Sequence, residues 1–266
     1  MNKTSFSVIL LALIVTSVKA GVFSDDFSSY ANVNIPGATT GTAPQITSGT
    51  NGWKGINWKD FSDTGWGPSG WANNGILNLA AGNAGVYAAY NTTSGPLTAG
   101  SSASIDIIYS ASGDYSARGL VLNLTETTAS KNFYFVGINR NETTGKAELS
   151  VLEANGMTAN GDYGPTMTGW TTKLLDHVNT GLTWDGTNPT INLEATLTAA
   201  GKINIAFGSY STSVDDSASP VAMGGYAGVS MSQWDSYKLD NFAVVPEPAS
   251  LGLLLMGAVG LLRRRR

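Results

Sequence analysis

Four tryptophans, Trp53, Trp58, Trp66 and Trp71, fall within one glycine-spaced stretch that also holds Lys54, Lys59, Asp60 and Asp63. Indole faces stack on the apolar C–H faces of sugar rings, while carboxylates and amides nearby bond to hydroxyls. Glycine-rich sequence does not pack four indoles in a regular strand pattern. Part of the stretch is therefore expected on a loop, either contacting carbohydrate or folded back to cap one end of the domain. Other chemistry is thinly supplied. The chain has no cysteine and a single histidine, His177. That excludes a cysteine nucleophile, a thiolate zinc site, iron–sulfur chemistry and a multi-histidine metal centre. His177 reads as a surface or packing residue. Gly65-Trp66-Gly67 precedes neither a Lys-Ser/Thr pair nor a helix, so it is no phosphate loop. Asp215-Asp216, in a serine-rich segment, reads as solvated charge.

The two ends of the chain are addressing segments. Asn2-Lys3, an apolar run from Phe6 to Val15 and Val18-Lys19-Ala20 have the three parts of a secretory signal peptide, expected to be cut after Ala20. At the other end Ala249–Leu262 carries no charge and is followed by Arg263, Arg264, Arg265 and Arg266. As a helix this run reaches ~21 Å, against ~30 Å for the hydrocarbon core of a bilayer. Arginines that snorkel to the interface compensate for the short span. Their charge places them on the cytoplasmic side, with everything before Pro246 across the membrane. Pro246 and Pro248 flank Glu247 and hold the preceding strip extended and open to processing.

This tail, Pro-Glu-Pro followed by a short apolar segment and an arginine cluster, resembles the PEP-CTERM sorting signal of Gram-negative bacteria over residues 245–266. The resemblance implies recognition at Pro246, Glu247, Pro248 and Arg263–Arg266 by an exosortase-type membrane protease, transient residence in the inner membrane, and export to a cell surface or a biofilm matrix of extracellular polysaccharide.

Between the ends, residues 21–245 read as one all-β domain. Net charge falls from −4 for the whole chain to −10 for residues 21–247, because six of the fifteen basic residues lie outside that span. An acidic body without a basic cluster argues against nucleic acid as a partner. Ile191, Leu193, Ala195 and Leu197 alternate with polar residues, as do Ile203, Ile205 and Phe207, with Ala200-Gly201 as a hairpin turn between them. Similar runs are Ile76–Ala80, Val86–Tyr90, Ser104–Tyr109, Gly119–Leu124, Phe133–Asn139, Ala147–Glu153, Tyr226–Met231 and Tyr237–Val245. Asn141–Gly145 makes a second hairpin. Thr171–Val178 is the one helix candidate. Many short strands at hairpin spacing predict an antiparallel β-sandwich of the jelly-roll kind.

The opening Val22-Phe23-Ser24-Asp25-Asp26-Phe27 and the closing Leu239-Asp240-Asn241-Phe242 are similar to the first and last strands of concanavalin A-like (LamG-like) jelly rolls. This resemblance implies that the two terminal strands are neighbours and that Asp25, Asp26 and Asp240 sit near a structural Ca²⁺; the alternative is that these aspartates cap turns. Glucanases of the same superfamily carry Glu-x-Asp-x-x-Glu on one strand. The nearest analogue here, Glu148 to Glu153, lacks the central aspartate, and its odd spacing puts the two carboxylates on opposite faces. No enzyme activity is expected. The sequence thus predicts an exported matrix protein that binds glycan through Trp53, Trp58, Trp66 and Trp71. A structural surface component without glycan affinity and a glycan-degrading enzyme are the alternatives.

Overall fold

The computed structural model describes residues 22–27, 33–35, 52–55, 69–73, 76–80, 86–109, 117–127, 130–157, 170–187, 189–232 and 236–246. The expected signal peptide and the tail from Glu247 onward lie outside these residues. Among the described residues, no helix is long and apolar enough to cross a membrane.

Among the described residues sixteen strands form two sheets, and every described pairing is antiparallel. In chain order they are β1 Phe23–Asp25, β2 Val33–Ile35, β3 Trp53–Gly55, β4 Ser69–Asn73, β5 Ile76–Ala80, β6 Val86–Asn91, β7 Ser102–Ile108 and β8 Arg118–Glu126. They continue with β9 Lys131–Arg140, β10 Lys146–Met157, β11 Thr172–Thr183, β12 Thr190–Ala199, β13 Lys202–Phe207, β14 Tyr210–Asp215, β15 Tyr226–Ser232 and β16 Ser236–Val245. Sheet A runs β14-β13-β12-β7-β16-β5-β4-β2, with β1 added on β16; sheet B runs β11-β10-β9-β8-β15-β6-β3. This is an antiparallel β-sandwich, consistent with the expected jelly roll. The terminal strands are neighbours: β1 pairs with β16, Phe23 opposite Val244 and Asp25 opposite Phe242.

The alternation read from the sequence builds sheet A. On β7, β12 and β13 the buried residues are every second one (Ala103, Ile105, Ile107; Leu193, Ala195, Leu197; Ile203, Ile205, Phe207). They pack against Leu120, Leu122, Tyr134, Val136, Leu149 and Val151 of sheet B in one inter-sheet core. Sheet B is different. Arg118–Leu124 on β8 and Phe133–Asn139 on β9 are buried without a break, and the residues of opposite parity form a second apolar cluster on the outer face. Unbroken apolar strands are what a sheet covered on both faces requires.

Two expectations are corrected. The helix candidate Thr171–Val178 is strand β11, the edge strand paired with β10. Eight residues are too few to hold a helix by their own hydrogen bonds, whereas the open edge of β10 supplies a ladder. That ladder is irregular between Leu149 and Leu152, and His177 there takes a left-handed φ of 48° and donates its amide to Ser150 Oγ at 2.9 Å. Asp215 and Asp216 also behave differently from each other. Asp215 is exposed and pairs with Lys202 at 3.0 Å. Asp216 is buried, with its carboxylate accepting a hydrogen bond from the Tyr134 hydroxyl at 2.9 Å.

Candidate functional site

The β1/β16 corner holds the first sequence candidates. Asp25 lies under the sheet rather than on it, at 6 % exposure. One carboxylate oxygen accepts the Trp53 indole N–H at 2.8 Å and the other accepts the Phe27 amide at 2.8 Å. Trp53 is itself fully buried, its ring 5.0 Å from Phe242 and 5.8 Å from Phe27. A tryptophan can sit at zero exposure only if its N–H finds an acceptor, and Asp25 is that acceptor. Trp53 is therefore a core residue and not a glycan contact. Trp58 and Trp66 lie outside the described residues, and of Trp71 the structure gives only its place on β4 opposite Asn78 and Asn34.

The aspartate trio is split by the same arrangement. Asp26 is exposed, and Asp240 lies half-buried on the outer face of sheet A opposite Asp106. Burial pushes the Asp240 carboxyl above the usual range, and the charges of Asp106 and Asp26 push the same way, against the Asn241 amide that lowers it. Asp106 is bonded by the side-chain amides of Asn192 at 2.8 Å and Asn241 at 2.9 Å. Among the described residues no three carboxylate or imidazole groups are placed to hold a metal ion.

Glu148 and Glu153 stand on opposite faces of β10. Glu148 accepts bonds from Asn139 and Asn141. Glu153 shares the parity of Leu149 and Val151 and faces the inter-sheet core. The two cannot act on one bond.

A groove of about 580 Å³ lies on the outer face of sheet A, among Glu194, Thr196, Asn204, Ala206, Ser211 and Ser213. It offers hydroxyls, an amide and a carboxylate but no ring, so it can hydrogen-bond a sugar without stacking on it. The outer face of sheet B has the rings. Trp170 stacks on Phe135 (6.0 Å, 16°) and meets Phe133 edge-on (5.8 Å, 83°). Tyr90 stacks on Tyr226 (5.7 Å, 29°) and donates its hydroxyl to Glu126 at 2.9 Å. Burial first, and then that carboxylate, hold the Tyr90 phenol well above its ordinary pKa, so it stays a donor. Gly137 makes the platform possible: a Cβ there would come 2.5 Å from Phe135 Cζ, so only glycine lets the ring lie across its strand. Trp170 and Tyr226 keep part of their surface exposed. Sequence reasoning missed this cluster, although the unbroken run Phe133-Tyr134-Phe135-Val136 signals a strand covered on both sides.

Several solved structures resemble the fold. A Bacillus subtilis protein of unknown function with a galectin-like fold aligns at TM-score 0.47 and 11% identity, over 72% of this chain and 88% of its own. A β-1,3-1,4-glucanase (lichenase) derived from a mouse hindgut metagenome aligns at 0.48 and 8%, over 85% and 99%. The VIP36 exoplasmic/lumenal domain, in its Ca²⁺/Man3GlcNAc-bound form, aligns at 0.43 and 12%, over 73% and 84%. These likenesses are too distant to bear on activity, and the architecture rests on the ladders described above. No curated protein matches the sequence.

The tail is different. Its motif match starts inside β16, where Val244 is buried and Val245 is exposed, and Pro246 ends the strand by removing the next ladder donor. The motif implies export, handling by an exosortase and a transient membrane anchor. Residues 244–266 of this chain are a PEP-CTERM protein-sorting motif, attached directly to a central strand of the sandwich.

Proposed function

We propose that this is an exported, glycan-binding protein of the extracellular matrix, and that it meets polysaccharide on the outer face of sheet B. The observation that carries the reading is the pairing of partly exposed Trp170 and Tyr226 on one aromatic cluster, with Glu126 beside it. Half-exposed rings fixed by stacked neighbours offer a preorganised apolar surface to a sugar ring, and a carboxylate at its margin accepts hydroxyl protons. Acid–base hydrolysis is not part of the proposal, because Glu148 and Glu153 point to opposite faces. After sorting, the body is released to the cell surface or the biofilm matrix.

Titrating a panel of neutral and acidic polysaccharides against wild type, Trp170→Ala and Tyr226→Ala tests this. Binding by wild type that both variants weaken supports the proposal. A protein that binds none of the panel and self-associates instead is the structural surface component. Including Trp66→Ala and Trp71→Ala in the same series assigns or removes the Trp58–Trp71 stretch as a second contact.

A further inference from the structure

Neither glycan contact nor tail removal uses Glu153. Its side chain is fully buried on the inner face of β10, and among the described residues neither oxygen of its carboxylate has a hydrogen-bond partner. Directly opposite in the ladder stands Tyr134 of β9, so the two Cβ atoms are roughly 5 Å apart. The Tyr134 hydroxyl donates to Asp216 at 2.9 Å and accepts the Val221 amide at 2.8 Å. Burial raises the Tyr134 phenol, and the charges of Asp216 and Glu153 both add to the effect, which puts the two carboxylates within electrostatic range of one ring. The loop from Asp216 to Gly225 closes over this end of the sandwich. Asn155 reaches the Ser219 carbonyl at 3.4 Å, and Asn123 takes the Val221 and Ala222 carbonyls and the Gly225 amide.

Two carboxylates buried around one tyrosine, with no side-chain cation paired to them among the described residues, are strongly unfavourable unless something neutralises them. The two buried cations among the described residues stand elsewhere. The Arg118 guanidinium lies 4.6 Å over the Trp184 ring, and Lys131 sits in the ladder opposite Glu126 and Met157. We propose that Glu153 and Asp216 hold a calcium-class divalent cation between the inner face of β9–β10 and the 216–225 loop. The donors are all oxygen, with no imidazole or thiolate, which selects a hard ion. With two carboxylates the shell is completed by hydroxyl, main-chain or water oxygens, an irregular geometry that Ca²⁺ accepts and Mg²⁺ resists. The ion clamps the loop to the sheet and strengthens an exported domain that has no disulfides.

The test uses the full chain in mild detergent, stripped with chelator and then melted with and without added Ca²⁺. Tb³⁺, a luminescent calcium substitute, is titrated in parallel and displaced by Ca²⁺. Saturating Ca²⁺ is expected to raise the Tm of wild type by about 5 °C or more. Glu153→Gln is expected to lose both that response and the Tb³⁺ emission, while melting higher than wild type in chelator. Should Glu153→Gln fail to fold, Asp216→Asn takes its place. A wild type indifferent to Ca²⁺ overturns the proposal. So does a Glu153→Gln protein that still responds fully, since the ion would then lie elsewhere, for instance at the Asp106–Asp240 face.

Discussion

Sheet A and sheet B are built from strands of similar length, yet one is covered on one face and the other on two. On sheet A the outward residues of β7, β12 and β13 are mostly Ser, Thr, Asn, Lys, Asp and Glu, with Ile108 and Ala206 among them, and all are at least partly exposed. On sheet B the outward residues include Phe133, Phe135, Leu152 and Ala154, all fully buried, with Trp170 and Tyr226 at the margin. A one-faced sheet needs only its inter-sheet core to be stable. The second apolar face of sheet B is buried except at Trp170 and Tyr226, and those two partly exposed rings are the surface the proposed contact uses. Tryptophan alone does not mark the contact face. Trp53 and Trp170 are the same residue type, and their surroundings leave one fully buried and the other partly exposed.

The sharpest way to break the comparison is to remove Trp53. Trp53→Ala empties a fully buried site and leaves the Asp25 carboxylate without its indole donor. A loss of about 3–5 kcal/mol is expected by chemical denaturation. A mild loss would mean that the β1/β16 corner is not core.

Next in size is Gly137→Ala. The added methyl displaces the Phe135 ring and with it the stack under Trp170. About 1–3 kcal/mol of stability should go, and glycan affinity should fall with it. Retained affinity would detach the binding surface from the Phe135 platform.

Tyr134→Phe removes one donor to Asp216 and one acceptor for the Val221 amide while keeping the ring. The expected cost is about 1–3 kcal/mol, with faster amide exchange confined to residues 216–225. Uniform loss across both sheets would show that the tyrosine supports the core rather than the loop.

The smallest effects are on the outer face of sheet A and run in opposite directions with pH. Asp240 has a raised pKa, so its contribution is complete below the usual carboxylate range and is lost as pH rises through the folded value. Asp240→Asn should therefore melt slightly higher at neutral pH. Asp215 is held down to about 2 by Ser217 and then Lys202, so its contribution is present above its ordinary 3.8 and disappears as pH falls toward 2. Asp215→Asn should melt slightly lower at neutral pH and lose that acid-side slope. Identical pH profiles for the two variants would contradict this assignment.

How far the sequence could be read follows the same division. The β12–β13 hairpin and its partner β7 were legible because one buried face imposes strict alternation. The β1–β16 pairing came from the resemblance of Asp25-Asp26-Phe27 and Leu239-Asp240-Asn241-Phe242 to jelly-roll ends. β14 carries no legible alternation, since Val214 is its one buried residue, and β11 shows no strand period because it is an edge strand. Which strands neighbour one another depends on long-range pairing that local pattern does not encode. The aromatic face was hidden for a related reason: apolar residues on both sides of β9 and β10 read as strand interior, and nothing local says which of them remain partly exposed. Asp216 shows the limit most simply, because its partner Tyr134 lies 82 residues away.

The most direct measurement is a paired titration with one bound polysaccharide, using Trp170→Ala and Trp53→Phe and following affinity and Tm for each. Trp170→Ala should weaken binding about tenfold or more and leave the fold largely intact. Trp53→Phe should lower Tm and leave affinity unchanged. Affinity that follows Trp53 and ignores Trp170 would contradict the assignment of the outer face of sheet B as the contact surface.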